Sequence, residues 1–178
     1  MRKLFIILMC FLCTSSAGVV VLTKEVKAVK VAEKVPIVTI PAIYAPIVLA
    51  SADMAGMPAW ILARVIEKES KWKANAVGRN RNGTKDLGIA QFNSAYLSDF
   101  YWFDNDGQKF DPFIPEEAIP VAARYLKRLH KATGDWWMAV AAYECGLTRV
   151  RQNRIPEQTI KNTNRVMYGW YLDNETMP

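Results

Sequence analysis

A chain of 178 residues, 51% of them hydrophobic, can bury one real core and is too short for two comfortable domains. Its formal charge of +6 is modest, and the Lys and Arg residues are scattered over helix faces rather than gathered into a stripe, which argues against nucleic acid as a partner. Of three cysteines only Cys145 lies beyond the N-terminal segment, and His130 is the sole histidine. A disulfide framework is therefore excluded, no Cys/His set has metal-ligand spacing, and no cofactor is expected.

Residues 1–22 read as an export signal or an anchor. Arg2 and Lys3 precede an apolar run over 4–13, and Thr14, Ser15, Ser16 and Ala17 offer small residues for cleavage after Ala17. The alternative is an anchor, because Gly18 to Leu22 lengthens the uncharged stretch to about what a bilayer requires, with residues 4–22 touching the inner membrane. Either reading puts the protein in the periplasm or outside the cell. Over 23–42 lysines alternate loosely with valines, which reads as an extended tether, with a short edge strand as the alternative.

Residues 43–178 read as one mainly α domain. Helices are expected over 43–55 and 58–70, with Pro58 in the first turn. Asn75, Gly78, Asn80, Asn82 and Gly83 make 74–87 a loop. Ser94 is expected to N-cap a short helix to Trp102. The run Asp104-Asn-Asp-Gly107 lacks the terminal Glu of a calcium loop and reads as a solvated turn. Over 118–132 Ala118, Val121, Ala122, Tyr125, Leu126 and Leu129 form one face, opposed by Arg124, Lys127, Arg128 and Lys131. A nearly all-apolar helix over 136–145 ends at Gly146, and 159–172 is the last helix. No strong period-2 pattern follows Pro41.

Within the 58–70 helix, Leu62, Val65, Ile66 and Glu69 fall on one stripe (i, i+3, i+4, i+7), while Arg64, Glu67 and Lys71 face away. A carboxylate among aliphatic residues, with no cation on its own face, should have a raised pKa and can serve as a general acid. Glu69 is therefore the candidate catalytic residue, against the plainer reading of a cap near the helix end. Cys145 reads as a small buried residue and not as a nucleophile. His130, beside Lys127, Arg128 and Lys131, reads as a partner for a helix C-terminus. Trp72, Trp102, Trp136, Trp137 and Trp170 are sugar-platform candidates, with core packing the commoner fate.

Three segments then stand in order: Glu69-Ser70, Asp86-Leu-Gly-Ile-Ala-Gln-Phe-Asn93 and Ala141-Ala-Tyr-Glu-Cys-Gly146, with Ile155-Pro-Glu-Gln-Thr159 as a weaker fourth. Together they resemble the signature segments of the lytic murein transglycosylases, the lysozyme-like domain of glycoside hydrolase family 23, over 44–171. The resemblance implies a lysozyme-like helical domain that cleaves the MurNAc–GlcNAc β-1,4 bond of peptidoglycan glycan strands. Glu69 would act first as acid and then as base, leaving a 1,6-anhydro-muramyl end.

On the same resemblance Ser70, Gly88, Gln91, Tyr143 and Glu144 would line the substrate. Gly88 would let backbone approach the cleft, Gln91 would orient the acetamido group, and the Tyr143 hydroxyl would reach toward Glu69 or sugar. Three positions depart from the family pattern: Glu144 where Asn is common, Gln158 where a Glu often precedes the Thr, and Gly78 where Ser is frequent. A second carboxylate at 144 would raise the pKa of Glu69 further. The competing readings are a goose-type-lysozyme-like hydrolase with Glu144 positioning water, and a non-catalytic wall-binding or secretion-assembly module. Wall remodelling, a secretion or conjugation apparatus, and a phage are all left open as the setting.

Overall fold

The computed structural model describes residues 19–22 and 38–169; the apolar run before Val19, residues 23–37, Trp170 and the far end of the last expected helix lie outside them. Among the described residues two short strands, β1 (Val19–Leu22) and β2 (Val38–Pro41), pair antiparallel with Val20 opposite Ile40. Val38 and Ile40 are buried in the core. Residues 38–41 thus take the strand conformation that was the alternative to a tether.

Helix α1 (Ala45–Ala55) ends at Gly56, whose left-handed φ of 61° lets its N–H reach back to Ala52 and Asp53. Helix α2 (Ala59–Ser70) follows Pro58 and is the centre of the domain. Ile61 to Ile66 are buried without a break, and the helix touches α1, β2, α4 (Pro115–Thr133) and α7 (Glu157–Tyr168). Arg64 lies among those buried residues, contrary to the expectation that it faces away. Its Nη1 donates to the Val166 carbonyl at 2.7 Å and to that of Arg165 at 3.4 Å. A guanidinium donates to carbonyls in the last turn of α7 while its stem packs, so a charged residue can occupy a core position.

The expected loop over 74–87 carries most of a three-stranded antiparallel sheet, β3 (Val77–Arg79), β4 (Lys85–Leu87) and β5 (Phe92–Asn93). Strands of two or three residues are too short to show alternation. The readable signal was Asn82-Gly83 in the loop that joins β3 to β4, where Gly83 takes φ 84° and the side-chain Oδ1 of Asn82 accepts from Thr84 N and Oγ1. A 3-10 turn, Ser94–Tyr96, leads into α3 (Leu97–Asp104), and its cap is Asn93 rather than Ser94. The Asn93 side chain accepts from Ala95 N, while Ser94 Oγ accepts from Lys85 N.

Asp104 is not in a solvated turn. It is 1% exposed, and Arg128 of α4 grips it with two bonds of 2.9 and 2.8 Å. Arg124 Nε donates to its carbonyl and Nη2 to Asn105. Two arginines assigned to a solvent face therefore close the α3–α4 corner.

After Gly134, α5 (Trp136–Cys145) is capped by the Asp135 carboxylate at Met138 N. Gly146 joins it to α6 (Leu147–Arg151), and α7 completes the core. The architecture is mainly α, as expected, with the small sheet at one side. Rings connect the sheet to the helices: Phe92 meets Phe100 at 4.8 Å and Phe110 at 5.0 Å, Phe100 meets Tyr125 at 5.0 Å, and Tyr125 meets Tyr143 at 5.2 Å.

Gly88 starts the turn between β4 and β5 at φ 71°, and a Cβ there would lie 1.6 Å from the Pro112 carbonyl oxygen. Its close approach is thus to the Pro112–Phe113 backbone, a contact additional to the role expected from sequence. Gly88→Ala combines a left-handed backbone with a backbone clash. It should cost about 2 kcal/mol or more, a drop of roughly 4–8 °C in thermal unfolding midpoint. An unchanged midpoint would show that the two segments separate easily.

Candidate active site

Glu69 stands in the last turn of α2 with its side chain 17% exposed. It opens into a slot whose other walls are Val65 and Lys68 of α2, Val140, Tyr143 and Glu144 of α5, and Asn162 and Val166 of α7. Burial drives the Glu69 pKa up, against the pull of Lys68, and the charges of Glu144 and Asp86 push in the same direction as burial. The helix C-terminus adds a negative dipole end, which also disfavours the anion. The raised pKa inferred from the apolar stripe is therefore present.

The expectation that no cation shares this face does not hold. Lys68 Nζ lies 3.0 Å from Glu69 Oε1 and 2.8 Å from Glu144 Oε2. Burial alone would lower the Lys68 pKa, but the two carboxylates outweigh it and the net shift is upward. Lys68 is the sequence neighbour of Glu69 and leaves the helix about 100° away around its axis. A four-carbon stem spans that angular gap easily.

Tyr143 is deeply placed and its hydroxyl donates to the Ala90 carbonyl at 2.7 Å, not to Glu69. Burial, with the Glu69 charge next, raises its pKa well above the ordinary value, so it stays a neutral donor. Its bond to Ala90 fixes the turn over 88–91 against α5. Gln91, at φ 51°, donates its amide NH2 to the Gly88 carbonyl at 2.8 Å and the Ala76 carbonyl at 3.2 Å, so that end of the side chain braces the turn. At Gly78 a Cβ would lie 3.0 Å from Gln91 Oε1, so a side chain there would require the Gln91 amide to shift slightly. Ser70 is buried and returns its hydroxyl to the Ile66 carbonyl at 3.3 Å, facing its own helix rather than the slot. Glu144 lies beside Lys68, as the second carboxylate expected from sequence.

One carboxylate was quoted in the sequence but given no role. Asp86, at the centre of β4, accepts from Asn93 Nδ2 at 2.9 Å, and its charge acts on both Glu69 and Tyr143. The available signal was an Asp inside what proves to be a strand, a residue type strands disfavour unless something else holds it there. Lys68, Thr159 and Asn162 were likewise missed. The last two are donors to Glu144 at 3.2 and 2.9 Å.

The tryptophans divide by environment. Trp72 stacks on Tyr44 at 5.8 Å, Trp136 stacks on His130 at 3.9 Å, and Trp137 donates its indole N–H to Asn164. Trp102 is 72% exposed. Cys145 is half-buried, with burial pushing its thiol pKa up, which leaves it a poor nucleophile.

A family model described as "Transglycosylase SLT domain" matches residues 47–165. The chain is 30% identical over 107 residues to "Invasion protein IagB" of Salmonella typhimurium (strain LT2), covering 59% of this chain and 65% of that protein. It is 33% identical over 100 residues to "Protein IpgF" of Shigella flexneri, covering 53% and 64%. It is also 29% identical over 80 residues to "Lysozyme c-1" of Anopheles gambiae, covering 45% and 56%. In each case the chain spans less than two thirds of the relative's own length. The fold resembles the X-ray structure of an inactive mutant of lytic transglycosylase Slt from Pseudomonas aeruginosa, with a TM-score of 0.61 and 19% identity, over 72% of this chain and 24% of that one.

Proposed function

The chain belongs to the transglycosylase SLT domain family, and from that premise we propose that it is a peptidoglycan lytic transglycosylase with Glu69 as its acid and base. The observation that carries this reading is a carboxyl whose burial favours the protonated form, opening into a slot beside Tyr143, Lys68 and Glu144. Protonated Glu69 donates to the glycosidic oxygen as positive charge develops at the MurNAc C1. The ionised carboxylate then takes the proton of the C6 hydroxyl as that oxygen closes on C1, giving the 1,6-anhydro end. Glu69→Gln keeps the shape without the proton and should lower cleavage of purified peptidoglycan by about 10²–10⁴-fold. Glu67→Gln should be nearly silent; more than about a tenth of wild-type rate in Glu69→Gln would refute the acid role.

A second reading is hydrolysis, and Asp86 favours it. It is a further carboxylate close enough to act on Glu69, standing on the sheet side while Glu69 stands on the helix side. Two carboxyls in unlike surroundings are the arrangement by which glycosidases stabilise an oxocarbenium ion and admit water. Glu144 is less suited to position water, because Lys68, Thr159 and Asn162 already occupy it. Mass spectrometry of the digest separates the two readings. Anhydro ends are about 18 Da lighter than reducing ends, one water being absent. Predominance of the heavier product, lost in Asp86→Asn, would select hydrolysis.

We place the work of the domain in the periplasm after cleavage at Ala17. Cleavage there leaves β1 whole, whereas a helical anchor running to Leu22 would take Val19–Leu22 out of its pairing with Val38–Pro41. Similarity to a protein named for invasion supports a role in invasion over general wall remodelling or a phage. N-terminal sequencing of the fractionated protein should find a mature chain beginning near Gly18. An intact Met1 in the membrane fraction would select the anchor, and full-length active protein in the cytoplasm would remove the wall as its substrate.

A further inference from the structure

A lysine 3.0 Å from a general acid works against it, because the ammonium favours the ionised carboxylate. The structure gives that ammonium a second carboxylate at 2.8 Å, Glu144 Oε2. Glu144 cannot follow Lys68 freely. Its other oxygen accepts from Asn162 Nδ2 at 2.9 Å and Thr159 Oγ1 at 3.2 Å, and Gln158 Nε2 in turn donates to Asn162 Oδ1 at 3.0 Å. One wall of the slot is thus a relay of side chains on α7 that ends by fixing where the Lys68 charge sits. The side chains of Lys68, Glu69 and Glu144 are 29%, 17% and 23% exposed, so solvent screens these contacts only in part.

We infer that Glu144 is a positioning residue for Glu69 that acts through Lys68: by holding the shared ammonium toward α7, it keeps Glu69 able to carry its proton. The inference takes Glu69 to be the proton donor and names what regulates it. The charged and titratable groups facing Glu69 are Lys68 on its own helix, Tyr143 and Glu144 from α5, and Asp86 from β4; α7 contributes the uncharged Asn162 and Val166. On its outer side Lys68 borders Arg64, Glu67 and Lys71 of α2 and Arg165 of α7.

The signs follow from this arrangement. Removing the Glu144 charge removes its direct repulsion of Glu69 and also leaves the ammonium to Glu69 alone. Both changes favour the Glu69 anion. Removing Lys68 favours the acid instead. A merely structural Glu144 would alter stability and rate without moving the ionisation of Glu69.

The test is a pH titration of the glutamate side-chain carboxyl carbons by ¹³C NMR on the full chain, with the Glu69 resonance assigned by its absence in Glu69→Gln. Glu144→Gln retains an acceptor for Asn162 and Thr159, and should move the Glu69 midpoint to lower pH. Lys68→Met should move it to higher pH, and Lys68→Gln serves the same arm if circular dichroism shows Lys68→Met unfolded. In the Lys68-substituted background the Glu144→Gln shift should shrink, because only the through-space repulsion remains. A Glu69 midpoint unmoved or raised by Glu144→Gln overturns the inference. So does an equal shift with and without Lys68. In turnover, the alkaline limb of the rate profile should follow the NMR midpoints. Expected midpoints in a protein that fails to cleave peptidoglycan would leave the positioning role standing and remove the enzymatic reading.

Discussion

The removal of Glu69 from water is the constraint on which the rest of the site depends. A carboxyl at the open end of a helix would ordinarily be solvated and ionised. Here the helix that carries it is buried from Ile61 to Ile66, which holds its last turn in place beside α7. Arg64 secures that burial by bonding to carbonyls in the last turn of α7. The same contact holds α7 close enough to supply Asn162 and Val166 to the slot and Thr159 to Glu144. Packing, helix-end chemistry and acidity are therefore one problem with one solution, in which a guanidinium takes a core position and a carboxyl is held where burial raises its pKa.

The opposite wall is held by different means. Phe92, Phe100, Tyr125 and Tyr143 pass contact from the small sheet to α5, and the Tyr143 hydroxyl ties the turn over 88–91 to the same helix through Ala90. Gln91 braces that turn from within, and Gly88 lets it lie directly on Pro112. Residues that looked like substrate contacts in the sequence thus also serve as scaffolding. Their arrangement keeps Asp86 within electrostatic reach of Glu69 across the junction of sheet and helices.

The helices were legible because their signals are local. The Glu69 stripe, the α4 amphipathic face and Gly56, Gly134 and Gly146 each show within a few residues what the chain will do. The raised pKa of Glu69 was legible for the same reason, since its aliphatic neighbours lie on its own helix. The sheet was not, because strands this short have no period to read. Arg64 and Asp104 were misjudged, and Lys68 was passed over, for a further reason: each is matched by a partner far along the chain, the α7 carbonyls, Arg128 and Glu144 respectively. Pairings of that kind are fixed by tertiary contact, which periodicity cannot register.

Helix α2 ends in two consecutive non-glycine residues of left-handed backbone, Lys71 at φ 53° and Trp72 at φ 63°, with the Trp72 ring set against Tyr44. Together with Pro58 at the other end, this stop freezes the number of residues between them. One residue inserted or deleted in α2 would turn Glu69 by about 100° about the helix axis and carry it out of the slot. The hairpin tip over 80–83, exposed at Arg81, Asn82 and Gly83, has no such restriction. Length variation among descendants of this chain should therefore collect at the hairpin and be absent from the helix, whatever the amino acids at either place become.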